Sequence, residues 1–250
     1  MEDIGTLIVT GGGRGIGAAV AKLGAARGYA VAVNYQSNEA AALAVVHEIE
    51  AAGGRAVAIA GDVAKEQDVL RLFATAARDL GPITALVNNA GTVGKAGRVE
   101  ALELQVLERV LAVNVVGTVL CAREAVRRMS TKFDGNGGAI VNIGSRASGL
   151  GGAGEWVHYG LSKGAVDTFT VGLAKEVGGE GIRVNTVTPG IIDTEIHAAS
   201  GMADRLPRLA ATIPIPRIGD AAEVAEGVIW LLSPAASYVT GAILHISGGR

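Results

Sequence analysis

Thr6-Leu7-Ile8-Val9-Thr10-Gly11-Gly12-Gly13-Arg14-Gly15-Ile16-Gly17 is a short apolar run that breaks into glycines and enters the helical pattern of Gly15–Arg27 at once. A strand that ends in such a turn aims backbone N–H groups and the positive end of a helix dipole at an anion. Glycine is needed there where φ is positive and where a Cβ would block a pyrophosphate. No Gly-Lys-Ser/Thr follows, so the turn is not a Walker loop. Gly11, Gly13, Arg14, Gly15, Ile16 and Gly17 are therefore candidate contacts to a dinucleotide. A methyltransferase can use a similar turn, so the turn alone leaves that reading open.

Outward from this unit the same alternation repeats. Ala30–Asn34, Ala56–Ala60, Ala85–Asn88, Ala139–Ile143, Ile182–Val187 and Ala242–Ile246 are further short apolar runs. Continuous, β-branched runs of that length suit strands buried on both faces. Between them lie Asn38–Ala52, Lys65–Leu80, Leu102–Val113, Thr118–Arg128, Tyr159–Val177 and Ala221–Leu232, with helical spacing. Strand–helix alternation predicts a doubly wound α/β fold with seven mostly parallel strands and helices on both faces. No linker or repeat divides residues 1–250, which are read as one domain. Residues 191–217 break the alternation and carry Pro207, Pro214 and Pro216. A long irregular connection leaving the sheet suits a lid over a site, although it also suits a plain surface excursion.

Composition excludes several classes. The net charge of −2, with no Lys/Arg run, gives no footprint for nucleic acid. Cys121 is the single cysteine, which rules out an internal disulfide and is compatible with a reducing compartment. No Cys/His cluster has zinc spacing, and no metal is expected. Met1-Glu2-Asp3-Ile4 lacks the basic start of a signal peptide, and no spanning stretch is free of charges or glycines. A cytoplasmic protein without a membrane partner is expected. With three Phe, two Trp and four Tyr, the core has to be aliphatic.

The second strand ends Val33-Asn34-Tyr35-Gln36-Ser37-Asn38. An NAD site usually places a carboxylate on the ribose roughly 20 residues after the turn. None stands here, since Glu39 falls in the next helix. A carboxylate would repel a 2′-phosphate, so its absence favours NADP(H), with NAD(H) still possible. Arg14 can supply the cation, unless it merely faces solvent.

Tyr159 and Lys163 are four apart, so both side chains share one helix face. A free tyrosine has a pKa of about 10, too high for efficient proton transfer near neutrality. A neighbouring ammonium stabilises the phenolate, and the pair becomes a plausible acid–base unit. Taken alone, Tyr159 can equally be an amphipathic anchor and Lys163 a solvated charge. Ser145 lies just past the Ala139–Ile143 strand, where open α/β sheets bind ligands. Asn114 opens a helical segment, where an Asn is often only a cap.

These motifs, in this order, resemble the short-chain dehydrogenase/reductase superfamily in its compact single-domain branch. The resemblance covers essentially the whole chain. Thr10-Gly11-x-x-x-Gly15-Ile16-Gly17 is similar to the cofactor turn, and Gly61-Asp62-Val63 to the strand end whose Asp touches the adenine. Asn88-Asn89-Ala90-Gly91 resembles the motif that lines the cofactor channel. Asn114-Val115-Val116-Gly117, Ser145, Tyr159-x-x-x-Lys163 and Pro189-Gly190-Ile191-Ile192-Asp193-Thr194 fit the rest.

The resemblance implies a Rossmann-type fold and an oxidoreductase acting on a carbonyl or alcohol. It implies Tyr159 as the proton donor, with Lys163 lowering its pKa and holding the nicotinamide ribose. Ser145 would steady the substrate oxygen, and Asn114 would hold a relay water. Asn34, Asp62, Val63, Asn89, Ala90, Gly91, Pro189, Gly190, Ile192 and Thr194 join the cofactor contacts. Members similar to 3-oxoacyl reductases and to glucose dehydrogenases are not separated by these motifs. A homotetramer is the family habit, and Thr118–Arg128 and Tyr159–Val177 carry small and apolar residues on more than one face.

Some positions depart from the pattern. Ser247 stands where the family commonly has Asp, and Gln36 where NADP-preferring members often carry a basic residue. Arg146 and Trp156 are candidate pocket residues beside Ser145 and Tyr159. Equally, Arg146 can point to solvent and Trp156 can be packing. His158 reads as pocket wall or surface. Some members of the superfamily keep the fold as catalytically silent sensors or scaffolds and lose the tyrosine, which is present here. Sugar epimerases of the extended branch usually add a C-terminal substrate region not seen here.

Overall fold

The computed structural model describes residues 4–193 and 210–250. Seven strands form one sheet in the order β3-β2-β1-β4-β5-β6-β7. They are β1 (Thr6–Val9), β2 (Ala30–Tyr35), β3 (Arg55–Ala60), β4 (Ile83–Asn88), β5 (Gly138–Ile143), β6 (Ile182–Pro189) and β7 (Ile243–Ile246). Every neighbouring pair is parallel, which sharpens the expectation of a mostly parallel sheet.

The apolar runs form strands because both faces are covered. Leu7, Val9, Val31 and Val33 point into one core, with residues of α1 (Gly15–Ala26), α2 (Glu39–Ala51) and the helix Ala221–Leu232. Ile8, Ala30 and Ala32 point into the other, with α3 (Glu66–Leu80) and the helices Gly117–Met129 and Val157–Val177. Side chains alternate across a strand, so two apolar layers demand an unbroken apolar sequence.

The sheet's strand order reverses between β1 and β4, and a crevice opens there beyond the carboxyl ends. The glycine turn fills it as its spacing requires. Gly11 and Gly15 have φ of +61° and +52°, a region costly for other residues. A Cβ on Gly17 would sit 2.4 Å from the Gly11 carbonyl oxygen and 2.5 Å from Asn89 Nδ2.

Leu102–Val113 and Thr118–Arg128 read as separate helices, with Asn114 as a cap. Instead α4 (Leu104–Leu111) passes through a π turn, Ala112–Val116, directly into α5 (Gly117–Met129). No proline interrupts the stretch, and Gly117 lets it cross Val63, whose Cγ2 would meet a Cβ there at 2.7 Å. This continuous helix is long and apolar enough to cross a membrane by composition. Val113, Cys121, Ala122, Ala125 and Met129 instead face the core beside the sheet. A short helix, α6 (Ala147–Leu150), carries no periodic signal and went unread; α7 (Val157–Val177) and α8 (Ala221–Leu232) complete the described helices.

Candidate active site

A cleft of about 800 Å³ runs over the switch point from the glycine turn to Ser145, Tyr159 and Lys163. Three groups of residues build it.

The first is the turn and its supports. Arg14 stands at the N-cap of α1 without capping it through its side chain, and no acidic residue lies in the first helical turn. The helix end is therefore electrostatically open to an anion. Thr10 Oγ1 accepts from the backbone N–H groups of Asn89 (2.9 Å) and Ala90 (3.0 Å). Asn89 Nδ2 donates to the carbonyls of Thr10 and Gly11 at 2.9 Å each. Buried Asn34 accepts from Gly11 N–H and donates to Ile59 and Gly61 carbonyls. Asn34 and Asn89 thus line the cleft, but their amides brace the turn.

The second group lies at the end of β2 and β3. Gln36, Ser37 and Asn38 line the cleft beside Arg14, and Asn38 caps α2 by accepting from Ala41 N–H. Asp62 Oδ2 accepts from Arg109 Nη1 at 2.9 Å and from Gln36 Nε2 at 3.2 Å. Arg109, from α4, was missed in the sequence, because no motif marks a residue that reaches the cleft from a helix face. Glu39 opens α2, as read, and takes a hydrogen bond from the Tyr35 hydroxyl.

The third group is the chemical one. Lys163 is buried, and its Nζ donates to the Ile143 carbonyl at 2.6 Å. That places the ammonium 5.7 Å from the centre of the Tyr159 ring. Burial pulls the Lys163 pKa down to about 8, with the charge of Asp167 opposing. Tyr159 is half-buried in the first turn of α7 and lines the cleft. Half-buried Ser145 lines it too, and its Oγ accepts from Ala147 N–H at 3.1 Å.

Asn114 is fully buried inside the π turn. Its amide donates to the Thr92 carbonyl (2.9 Å) and Ser162 Oγ (3.0 Å), and its Oδ1 accepts from Thr92 N–H (2.9 Å). Ser162 in turn donates to the Tyr159 carbonyl at 2.7 Å. Asn114 and Lys163 converge on Gly91: a Cβ there would lie 3.5 Å from Asn114 Oδ1 and 3.7 Å from Lys163 Nζ.

The pocket candidates divide. Arg146 lines the cleft, but Nε donates to the Arg250 carbonyl (2.7 Å) and Nη1 meets His245 Nε2 (3.0 Å). Trp156 is buried, precedes α7 and lines the cleft. His158 is neither surface nor pocket wall, because it is buried with Nε2 on the Val93 carbonyl at 2.9 Å. Val63, Gly91, Pro189, Gly190 and Ile192 line the cleft; Thr194 and most of the 191–217 segment lie outside the described residues.

The family model described as enoyl-(acyl carrier protein) reductase matches residues 11–250. The chain belongs to the short-chain dehydrogenase/reductase superfamily. It is 50% identical to the uncharacterized oxidoreductase YgfF of Escherichia coli (strain K12), over 97% of this chain and 98% of that one. It resembles a short-chain dehydrogenase of Burkholderia cenocepacia J2315 solved in complex with NADP, at 35% identity and a TM-score of 0.89, covering 98% and 96% of the two chains. A blue fluorescent protein from a metagenomic library, solved with NADPH, is 37% identical, with a TM-score of 0.90 and coverage of 99% and 98%. The chain is thus an oxidoreductase of that superfamily, with a Rossmann-type parallel sheet.

Proposed function

We propose that this oxidoreductase moves hydride between NADP(H) and a carbonyl or alcohol, with Tyr159 as general acid and base. The carrying observation is the buried Lys163 ammonium, fixed by Ile143 beside the Tyr159 ring. The cofactor suits the cleft: the glycine turn leaves no Cβ in the way, and the α1 end is open to a pyrophosphate. When bound, the nicotinamide supplies the hydride.

The chain's own residues do the rest. Lys163 stabilises the Tyr159 phenolate, so the phenol gives its proton to a developing alkoxide more readily. Ser145 offers a hydroxyl to the same oxygen and steadies its charge. Lys163 has further N–H groups with which to hold ribose hydroxyls. The Asn114 side chain is taken up by Thr92 and Ser162, so a relay water would use its carbonyl. That carbonyl accepts from Thr118 Oγ1 at 2.8 Å.

NADP(H) is favoured over NAD(H) for two reasons. No carboxylate of β2 faces the cleft, and Arg14, Ser37 and Asn38 line it together. The NADP and NADPH complexes of the two solved relatives agree with this reading. Arg14→Ala should weaken NADPH binding about tenfold, the worth of one charged hydrogen bond, and leave NADH binding unchanged. Equal losses for both cofactors in fluorescence titrations would remove Arg14 from the 2′-phosphate.

We also place the enzyme in the cytoplasm as a homotetramer acting on a small-molecule substrate. Exposed Val116 and Val119 on one helical stretch, and Val157 and Leu161 on α7, support buried contacts between copies. Native mass spectrometry tests the assembly. The activity is tested by mixing the enzyme with NADPH and a panel of aldehydes and ketones. Tight NADPH binding without oxidation anywhere in the panel would favour a silent sensor or scaffold.

A further inference from the structure

One helical turn beyond Lys163, α7 carries a buried carboxylate that the chemistry above does not use. Asp167 follows Lys163 by four residues, so the two side chains leave the same face of the helix. Asp167 Oδ1 is buried and has no hydrogen-bond partner. It lies against the backbone at the end of β5, where a Cβ on Gly144 would be 3.1 Å away. Gly144 directly follows Ile143, the residue whose carbonyl takes the Lys163 ammonium.

A buried carboxylate oxygen without a hydrogen bond is costly unless charge compensates it. The charged and titratable groups around Asp167 come from three elements. Lys163 faces it from α7, Arg146 from the turn entering α6, and His245 from β7. α6 adds only the Ser148 hydroxyl, and β6 brings Thr186 and Thr188 to the same corner. His245 meets the Arg146 guanidinium through Nε2 and the Thr188 hydroxyl through Nδ1. Lys163, His245 and Arg146, in that order, lend Asp167 the positive charge that favours its carboxylate. Arg146 already has hydrogen bonds to Arg250 and His245, whereas the ammonium of Lys163 is held by a neutral carbonyl alone.

We propose that Asp167 is a positioning residue for the reaction: its carboxylate is the buried counter-charge of Lys163, keeping the ammonium protonated between Ile143 and Tyr159. Burial alone drives both groups toward their neutral forms, raising the carboxyl and lowering the amine. Their mutual attraction, reinforced by Arg146, opposes this. A neutral Lys163 would no longer stabilise the Tyr159 phenolate. The inference rests on the assignment of Tyr159 and Lys163 as the acid–base pair.

The test is Asp167→Asn, compared with Asp167→Glu and the wild type across pH. Loss of the counter-charge lowers the Lys163 pKa further, so the ammonium is lost at a lower pH. The alkaline limb of kcat/KM should move down by about one pH unit in the Asn variant, the lower end of the effect of one nearby charge. Asp167→Glu should keep most of the wild-type limb. NADPH affinity, read by nicotinamide fluorescence, should weaken over the same shifted range, because Lys163 holds the ribose.

A uniform fall in rate with an unmoved limb would assign Asp167 to packing alone and overturn the proposal. So would coincident limbs for all three proteins. If Asp167→Asn does not fold, Asp167→Ala against wild type decides: an alkaline limb that stays put in it would overturn the proposal. If the wild type binds NADPH but turns over nothing, the acid–base assignment fails. The pH dependence of binding then still reports on Asp167 separately.

Discussion

Tyr159→Phe should lower NADPH-dependent carbonyl reduction by about three orders of magnitude, within the range that a general acid contributes. The phenyl ring keeps the packing of the first turn of α7 and loses only the hydroxyl. NADPH affinity should stay nearly unchanged, because the glycine turn is braced by Thr10, Asn34 and Asn89. The measurement is a pair of titrations on one preparation, with steady-state turnover and NADPH fluorescence. Turnover retained in the variant would remove Tyr159 from the chemistry. Unchanged turnover with weakened binding would reassign it to cofactor packing.

Lys163→Met produces the second large effect, and it differs in kind. Methionine is long and flexible enough to fill the space, so the fold should survive. The ammonium is lost, and with it both the charge beside Tyr159 and the N–H groups available to the ribose. Turnover should fall at least as far as in Tyr159→Phe, now with NADPH affinity weakened as well. In the wild type, kcat/KM should decline above pH of about 8, where the free enzyme's Lys163 loses its proton. That limb should vanish from whatever activity Lys163→Met retains. A variant that binds NADPH as tightly as wild type would confine Lys163 to the acid–base pair.

The fold was legible because its physics is local. β1, β2 and β5 are short, mostly apolar runs that two covered faces require, and the glycine turn sits where a strand must yield to a helix end. Element boundaries fell within a few residues at nearly every strand. Asn114 was harder. As a residue type it suggests a cap, but a π turn has no sequence period of its own, and only packing against Val63 and Thr92 reveals why the helix continues.

The candidate site divides in the same way. Tyr159 and Lys163 could be paired from spacing, since four residues on a helix fix a shared face. Arg109 and Asp167 could not be read, because their meaning comes from other elements: Asp62 for one, and the β5 terminus with Arg146 for the other. Arg146 looked like a pocket cation when read beside Ser145. Its links to Arg250 and His245 lie about a hundred residues away in the chain.

The proposed reaction is hydride transfer from a nicotinamide to a carbonyl carbon over the Tyr159–Lys163 pair. Its most direct test is a single-turnover reaction of the wild-type enzyme with NADPH deuterated at the nicotinamide C4, followed by mass analysis of the alcohol product. Deuterium on the carbinol carbon, with label in proportion to NADPH consumed, is the predicted result. Saturating NADPH binding with no labelled alcohol from any carbonyl in the panel would contradict it.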